Sequence, residues 1–303
     1  MVDAIVVTWN STADTVECVR SLATSTTPLR RIRVIDNGSD ASELAALKKE
    51  LPDVSLIESP TNIGFAGGCN LGIAASLRQD ADFVWIVNND AVVERDALQA
   101  LLETAGEDSR IGIVGSRVVY ASEPSRIWHE GGIVDAIRGI AYNARQDQPA
   151  ETPGPPRDTP YVSGCSMLLR TSCVQDVGPL DTRFFLYFED AEVCMRATRR
   201  GWRVVIQPRS VVHHKVSSST SRIPDRVAFL KDRNRTLFAL SCSAGRRGIW
   251  LAFAYHGARA IRYWLIPPAG RSRAFFLAAF RSGVRAAASE PASSIGVTRP
   301  AGS

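Results

Sequence analysis

Three carboxylates stand close together at Glu189-Asp190-Ala191-Glu192, directly after the aromatic and aliphatic run Phe184-Phe185-Leu186-Tyr187-Phe188. Apolar neighbours withdraw water from a carboxylate, which raises its affinity for a proton and suits it to general-base work. The same residues equally suit a helix N-terminus, where acidic side chains meet the positive end of the helix dipole. A second polar group, Asn88-Asn89-Asp90, ends an apolar run over 83–87. A carboxylate placed there can hold a hard divalent cation that also bridges phosphate oxygens, and an Asx-rich turn leading into the next helix would use the same residues. Asp36-Asn37-Gly38-Ser39 follows Ile35 in the same manner. Its carboxylate suits a ribose hydroxyl or a base N–H, or only a turn with a serine cap. Asn62-Ile63-Gly64-Phe65-Ala66-Gly67-Gly68-Cys69-Asn70 reads as a glycine-rich loop opening a helix, whose amides could approach a diphosphate, or as a plain tight loop. It matches neither GxGxxG nor GxxxxGK[ST]. His213-His214 follow Val211-Val212. Neighbours on a strand point opposite ways, so at most one of the two faces a given site, as a metal ligand or as a packed histidine.

The elements that must carry these groups follow from hydrophobic periodicity. Strands are predicted at 4–8, 31–35, 54–58 and 83–87, alternating with helices at 13–25 (capped by Ser11 or Thr12), from Ser39 or Asp40 to about 51, and at 68–78. Such alternation implies a parallel sheet covered on both faces, with ligands beyond the carboxyl ends of its strands. Thr8-Trp9-Asn10, Asp36 to Gly38, Ser59 to Gly68 and Asn88 to Asp90 occupy those ends. A helix is expected over 94–105, then short strands within 111–120, and an exposed loop over 143–160 carrying five prolines. A strand pair over 161–170, a helix over 189–200 and two short strands at 203–206 and 210–213 follow. From 225 onward the chain reads as helical, and 285–303 as a frayed tail.

The chain has 303 residues, 45% hydrophobic and 22% charged, which is globular composition and excludes wholesale disorder. Mean hydropathy is −0.05 and no apolar run approaches 18 residues, so no membrane span is expected. The N-terminus lacks a basic region and reads as a buried strand, not an export signal. Six scattered cysteines, with no CxxC, predict buried thiols in a cytoplasmic chain. Charge is uneven: from Gly201 on there are 17 Lys and Arg against 3 Asp and Glu, a balance of +14, and before it 19 against 28, a balance of −9. The segments 249–266 and 271–285 interleave arginine with Trp, Tyr and Phe. That suits an amphipathic helix at an anionic membrane surface, or a face packed on the rest of the chain or on a partner in a homodimer. No recognition module accompanies the arginines, so no nucleic acid is expected.

Taken in order, the motifs resemble those of inverting nucleotide-sugar glycosyltransferases of the family 2 type, and among them the rhamnosyltransferase-like bacterial enzymes of cell-surface polysaccharide synthesis. The resemblance is carried by Ile5 to Ser11, Val34 to Ser39, Asn62 to Asn70, Asn88-Asn89-Asp90, Trp128-x-x-Gly131-Gly132, Gly164-x-x-Met167-Leu168-Leu169-Arg170, Gly178-Pro179-Leu180-Asp181, Phe184-Phe185-x-Tyr187-x-Glu189-Asp190 with Met195-Arg196, and His214-Lys215-Val216-Ser217. It implies an α/β GT-A fold, a Rossmann-like, mostly parallel sheet flanked by helices with a C-terminal helical extension. The implied units are a catalytic domain over 1–224, basic amphipathic helices over 225–285 and a flexible tail over 286–303. Thr8, Asn10 and Asp36 would hold the nucleoside; Asn62, Gly67, Asn70, Asn88 and Asn89 would line the donor pocket. Asp90 and His214 would bind Mn2+ or Mg2+, with Asn88 where the family's metal motif starts with aspartate. Glu189-Asp190 would be the catalytic pair, Asp190 the base. The implied donor is dTDP-rhamnose, or a UDP-hexose including galactofuranose donors; the implied acceptor is a hydroxyl of a glycan or lipid-linked acceptor at the inner face of the plasma membrane. The alternative is a nucleotide-binding or membrane-docked protein that keeps this fold without the chemistry.

Overall fold

The structure, a computed structural model, describes residues 1–216, 224–268 and 270–290. Ser217 of the last motif and residues 291–303 of the expected tail lie outside them. Strand β1 (Val2–Thr8) is buried along its whole length, as a strand covered on both faces requires. It pairs in parallel with β2 (Arg31–Asp36) and β4 (Phe83–Asn88), and β2 pairs in parallel with β3 (Ser55–Glu58). Helices α1 (Thr12–Ala23), α2 (Ala41–Glu50) and α3 (Gly64–Leu77) connect them. The register sets Thr8 beside Asp36 and Val7 beside Asn88, so these strand ends open along one edge.

Beyond β4 the alternation ends. A short strand β5 (Ala91–Val93) precedes α4 (Ala97–Glu107), the helix expected over 94–105, and β6 (Ile111–Tyr120) is one continuous strand where short strands were expected. Then come β7 (Glu123–His129), the separate hairpin β8 (Gly132–Asp135) and β9 (Ile140–Asn143), β10 (Arg157–Asp158) and β11 (Ser166–Arg170). α5 (Thr171–Val177), a 3-10 turn (Thr182–Phe184), α6 (Glu189–Arg199) and β12 (Arg203–His214) complete this part. The sheet runs β10-β12-β6-β11-β4-β1-β2-β3, with β5 beside β12 and β7 beside β6. It is mixed, because β11 enters antiparallel between β4 and β6.

Three expectations change. The helix predicted to begin at Gly68 begins at Gly64, so most of the glycine-rich segment is helix. A Cβ on Gly68 would lie 2.7 Å from the Val7 side chain and one on Gly72 2.8 Å from Ile5; the glycines let α3 lie against β1. The predicted strand pair over 161–170 is a loop followed by β11 alone. The two short strands at 203–213 are one strand with a bulge between Gln207 and Val211, where the Gln207 side chain accepts from the Arg209 N–H and donates to Thr104 Oγ1. All six cysteines are free and buried, as predicted.

Apolar residues form a core on each face of the sheet. Ile5, Ile35, Ile73, Ile86 and Phe184 lie in one; Val6, Trp85, Val87, Leu98 and Leu101 lie in the other, as the two-residue period of a strand dictates. Helix α7 (Pro224–Cys242) adds Leu237 and Phe238 to the first core, and α9 (Arg273–Ala288) adds Ala286. Helix α8 (Gly245–Leu265) buries only Ala252, His256 and Ala260.

Candidate active site

One pocket of about 670 Å3 lies at the carboxyl ends of the strands, where open α/β sheets bind ligands. Thr8, Asn62, Asn88, Asn89, Asp90, Glu189, Asp190 and His214 all line it. Eight of the twelve residues singled out in the sequence are thereby brought together from β1, the loop before α3, the end of β4, the start of α6 and the end of β12.

Asp90 and His214 meet because β5 reverses direction after Asp90 and pairs antiparallel with β12, placing His214 opposite Ala91. His214 Nε2 lies 3.0 Å from Asp90 Oδ1 and 3.4 Å from Asn88 Nδ2. The Trp128 ring stands edge-on to the imidazole at 4.6 Å. Burial alone would lower the His214 pKa, but Cys165 and the Asp90 carboxylate outweigh it and carry it to about 10. Burial likewise opposes ionisation of Asp90, and the His214 hydrogen bond prevails, holding that carboxyl below its usual range. His213 points away and contacts Glu94 at 3.1 Å, so the two histidines divide as strand geometry requires. Once His214 gives up its proton, a carboxylate oxygen beside an imidazole nitrogen is a donor set that Mg2+ or Mn2+ accepts, with diphosphate oxygens and water free to fill the other positions. No group of three or more His, Cys, Asp or Glu placed to hold a metal ion occurs among the described residues.

Asp190 sits at the first turn of α6, where it accepts from the Gly164 N–H (3.1 Å) and from the Ala191 N–H (2.8 Å). Burial raises its pKa despite these donors. Glu189 is only 4% exposed and its Oε2 has no hydrogen-bond partner among the described residues. Burial, reinforced by the Asp190 charge, drives its pKa well up. The two adjacent carboxyls thus have unequal hydrogen-bond support in one pocket.

The other four expected residues do not line the pocket. Asn10 has a positive φ of 51° and its side chain accepts from the Asp40 N–H, tying the end of β1 to the start of α2. Asp36 is buried beside them; Oδ2 accepts from the Ser39 N–H at 3.3 Å and Oδ1 has no partner among the described residues. Asn70 exchanges two hydrogen bonds with the Leu180 backbone, and Gly67 packs on Ile63. At the start of α3 the Ile63, Gly64 and Phe65 N–H groups donate to Asn37 Oδ1, Asn62 Oδ1 and the Phe185 carbonyl. Asn37, adjacent to Asp36, does line the pocket.

Several contributors were not singled out. His129, kept neutral by burial with its pKa near 4, bonds Asn143 of β9 through Nδ1 (2.9 Å) and accepts from the Ser163 N–H (3.1 Å), steadying the loop that supplies Gly164. Asn234 on α7 is fully buried, and its amide donates to the carbonyls of Phe184, Leu186 and Tyr187. Phe185, Tyr187 and Phe188 all have positive φ, a strained run immediately before Glu189 and Asp190. A readable signal existed for Asn234, which shares the buried stripe of Leu230 and Leu237. Arg226, Lys231 and Arg235 of α7 also face the pocket; one strand-end rule could not reveal a helix arriving from 40 residues later.

Residues 3–178 match the family Glycosyl transferase family 2. The chain is 28% identical over 272 residues to an N-acetylglucosaminyl-diphospho-decaprenol L-rhamnosyltransferase of Mycobacterium tuberculosis, covering 81% of this chain and 86% of that one. Among solved structures it is similar to GalNAc-T7 with UDP, GalNAc and Mn2+, at a TM-score of 0.64 and 13% identity, over 94% of this chain and 56% of that one. It is likewise similar to the mannosyltransferase PcManGT of Pyrobaculum calidifontis with GDP-Man and Mn2+, at a TM-score of 0.55 and 18% identity, over 96% and 81%.

Proposed function

Because the chain belongs to glycosyl transferase family 2, we propose that it transfers a sugar from a nucleotide-diphosphate donor to an acceptor hydroxyl with inversion, using Asp190 as base. The observation that carries this reading is the single pocket that joins Asp190, poised by two backbone N–H groups, to the Asp90–His214 pair and the ends of β1 and β4. Thr8 holds the nucleoside at the strand ends, with buried Asp36 behind it and Asn10 bracing that turn. Asn62, Asn88 and Asn89 orient the donor. Asp190 removes the proton of the acceptor hydroxyl as its oxygen attacks the anomeric carbon, and buried Glu189 keeps water away from that proton. Asp90 and His214 would hold a divalent cation, Mn2+ or Mg2+, which supplies positive charge to the leaving diphosphate.

The donor assigned is dTDP-rhamnose, with UDP-hexoses as the competing class, and the acceptor is a glycan or lipid-linked hydroxyl. Convergence of Asp90, Asp190 and His214 in one pocket supports an enzyme over a non-catalytic relative. Among the described residues no helix is long and apolar enough to cross a membrane. The 225–285 helices are assigned to an anionic membrane surface at the inner face of the plasma membrane: α8 exposes Trp250, Leu251, Ile261, Trp264 and Leu265 beside Arg246, Arg247 and Arg262. A homodimer through the same face is the competing outcome.

The testing experiment is a thermal-shift screen of the purified chain against nucleoside diphosphates and their sugars, with Mn2+, Mg2+ or EDTA, since a ligand of the folded state raises Tm. A metal-dependent shift confined to one nucleotide series is expected. Equal shifts with all nucleotides, or none, would overturn the assignment.

A further inference from the structure

Trp128 opens a motif, Trp128-x-x-Gly131-Gly132, to which the reaction above gives no part. In β7 it is an extra residue: Ile127 pairs with Val119 and His129 with Val118, so two steps along β7 match one along β6. A bulge of this kind re-aims the side chain that it carries. The bulged backbone is held, because the Asn143 side chain donates to the Trp128 carbonyl (2.9 Å) and bonds His129 Nδ1 (2.9 Å). The indole reaches the end of β12, where it meets the His214 imidazole edge to face, with 4.6 Å between ring centres and an interplanar angle of 72°.

Hydrogen bonds support the His214 ring unevenly. Nε2 faces Asp90 Oδ1 (3.0 Å) and Asn88 Nδ2 (3.4 Å). Nδ1 has no hydrogen-bond partner among the described residues, although His214 is only 5% exposed, and the adjoining Cys165 thiol is a weak partner at most. A metal-binding histidine ordinarily has its ring fixed by a hydrogen bond from the nitrogen that does not bind the metal. Once Asp90 and His214 share a cation, their mutual hydrogen bond is gone, and packing against Trp128 remains to set the angle of the ring, in an arrangement that aromatic pairs favour. We propose that Trp128 is a positioning residue for the cation site, holding the His214 imidazole so that Nε2 and Asp90 serve one cation. This rests on the cation assignment above.

The test is titration calorimetry on the full chain with UDP, dTDP and GDP as probes, each in Mn2+ and in EDTA. For the nucleotide that binds, the ratio of the two dissociation constants measures how strongly cation and nucleotide support each other. In Trp128→Leu the ratio should fall about tenfold, as for loss of a group that orients a metal ligand, while the dissociation constant in EDTA stays as in the wild type. Trp128→Phe keeps an aromatic edge and should retain most of the ratio. In a His214→Ala background Trp128→Leu should change nothing further, because its effect runs through the imidazole. An unchanged ratio in Trp128→Leu, an equal fall in Trp128→Phe, or an equal further fall without His214 overturns the proposal. Loss of nucleotide binding in EDTA by both Trp128 variants also overturns it, by giving the indole to the nucleotide. Wild-type binding is measured first: none with any nucleotide overturns the transferase reading on which this one rests, and binding equal in Mn2+ and EDTA overturns the cation assignment and this inference with it. A Mn2+-dependent wild type followed by any of the failures above sinks this inference alone.

Discussion

Asp190 and Glu189 are neighbours in sequence with opposite support. Asp190 accepts two backbone N–H groups while Glu189 keeps an oxygen without a partner among the described residues. Asp190→Asn preserves shape and removes the base, so turnover should fall by about 10² to 10⁴ with nucleotide binding nearly unchanged; activity kept above a few per cent in a steady-state assay would reject Asp190 as base. Because burial lifts its pKa above the ordinary 3.8, the base is protonated sooner as pH falls. The acidic limb of the kcat/KM profile should accordingly lie above that value and vanish with Asp190→Asn. For Glu189 the linkage runs the other way from most acids. Its folded pKa is raised, so stability is fully present below the unfolded value and is lost as pH rises toward the folded one. Glu189→Gln should therefore raise Tm most at neutral and alkaline pH and lose that advantage in acid, as a Tm series across pH would show. Asp90→Ala should weaken nucleotide binding in Mn2+ and leave it unaltered in EDTA, a difference that calorimetry resolves directly.

At the level of elements, the placement of Glu189 and Asp190 depends on how α7 grips the chain before α6. A run with positive φ at Phe185, Tyr187 and Phe188 turns carbonyls inward, and the buried Asn234 amide answers three of them. Asn234→Ala leaves those carbonyls unmet, at about 1–3 kcal/mol of stability. Asn234→Asp should be worse, because a carboxylate facing carbonyl oxygens is an acceptor among acceptors. Displacement of Asp190 by these variants should lower kcat by roughly tenfold to a hundredfold with donor KM nearly constant. Equal kcat in wild type and Asn234→Ala would reduce Asn234 to a packing role. The β5–β12 ladder acts similarly for Asp90 and His214, since its register alone sets their contact.

For the whole molecule, the charge imbalance becomes spatial. Helices α7 and α9 join the core, while α8 shows a wide apolar and cationic face. Co-sedimentation with anionic vesicles is expected, weakened by salt and by Arg246→Glu/Arg247→Glu; concentration-dependent dimerisation without vesicle binding would assign the face to a second copy instead. Local sequence was sufficient for the alternating half of the molecule. Strand periods, turn residues at strand ends and free cysteines each depend on a few neighbours, so the ends of β1, β2 and β4 and the carboxylates after Phe188 were legible. The glycines of α3 misled because glycine serves both loop freedom and close packing, and only contact with Val7 and Ile5 tells them apart. Asn70 looked like a pocket residue until its Leu180 partner, 110 residues away, was in view. The contact of Asp90 with His214 across 124 residues was anticipated only through the family resemblance, and the arrival of Asn234, Arg226 and Lys231 at the pocket was decided by tertiary structure alone. Pairings at such separation are set by strand register and helix docking, which the global packing of apolar surface selects and no local pattern encodes.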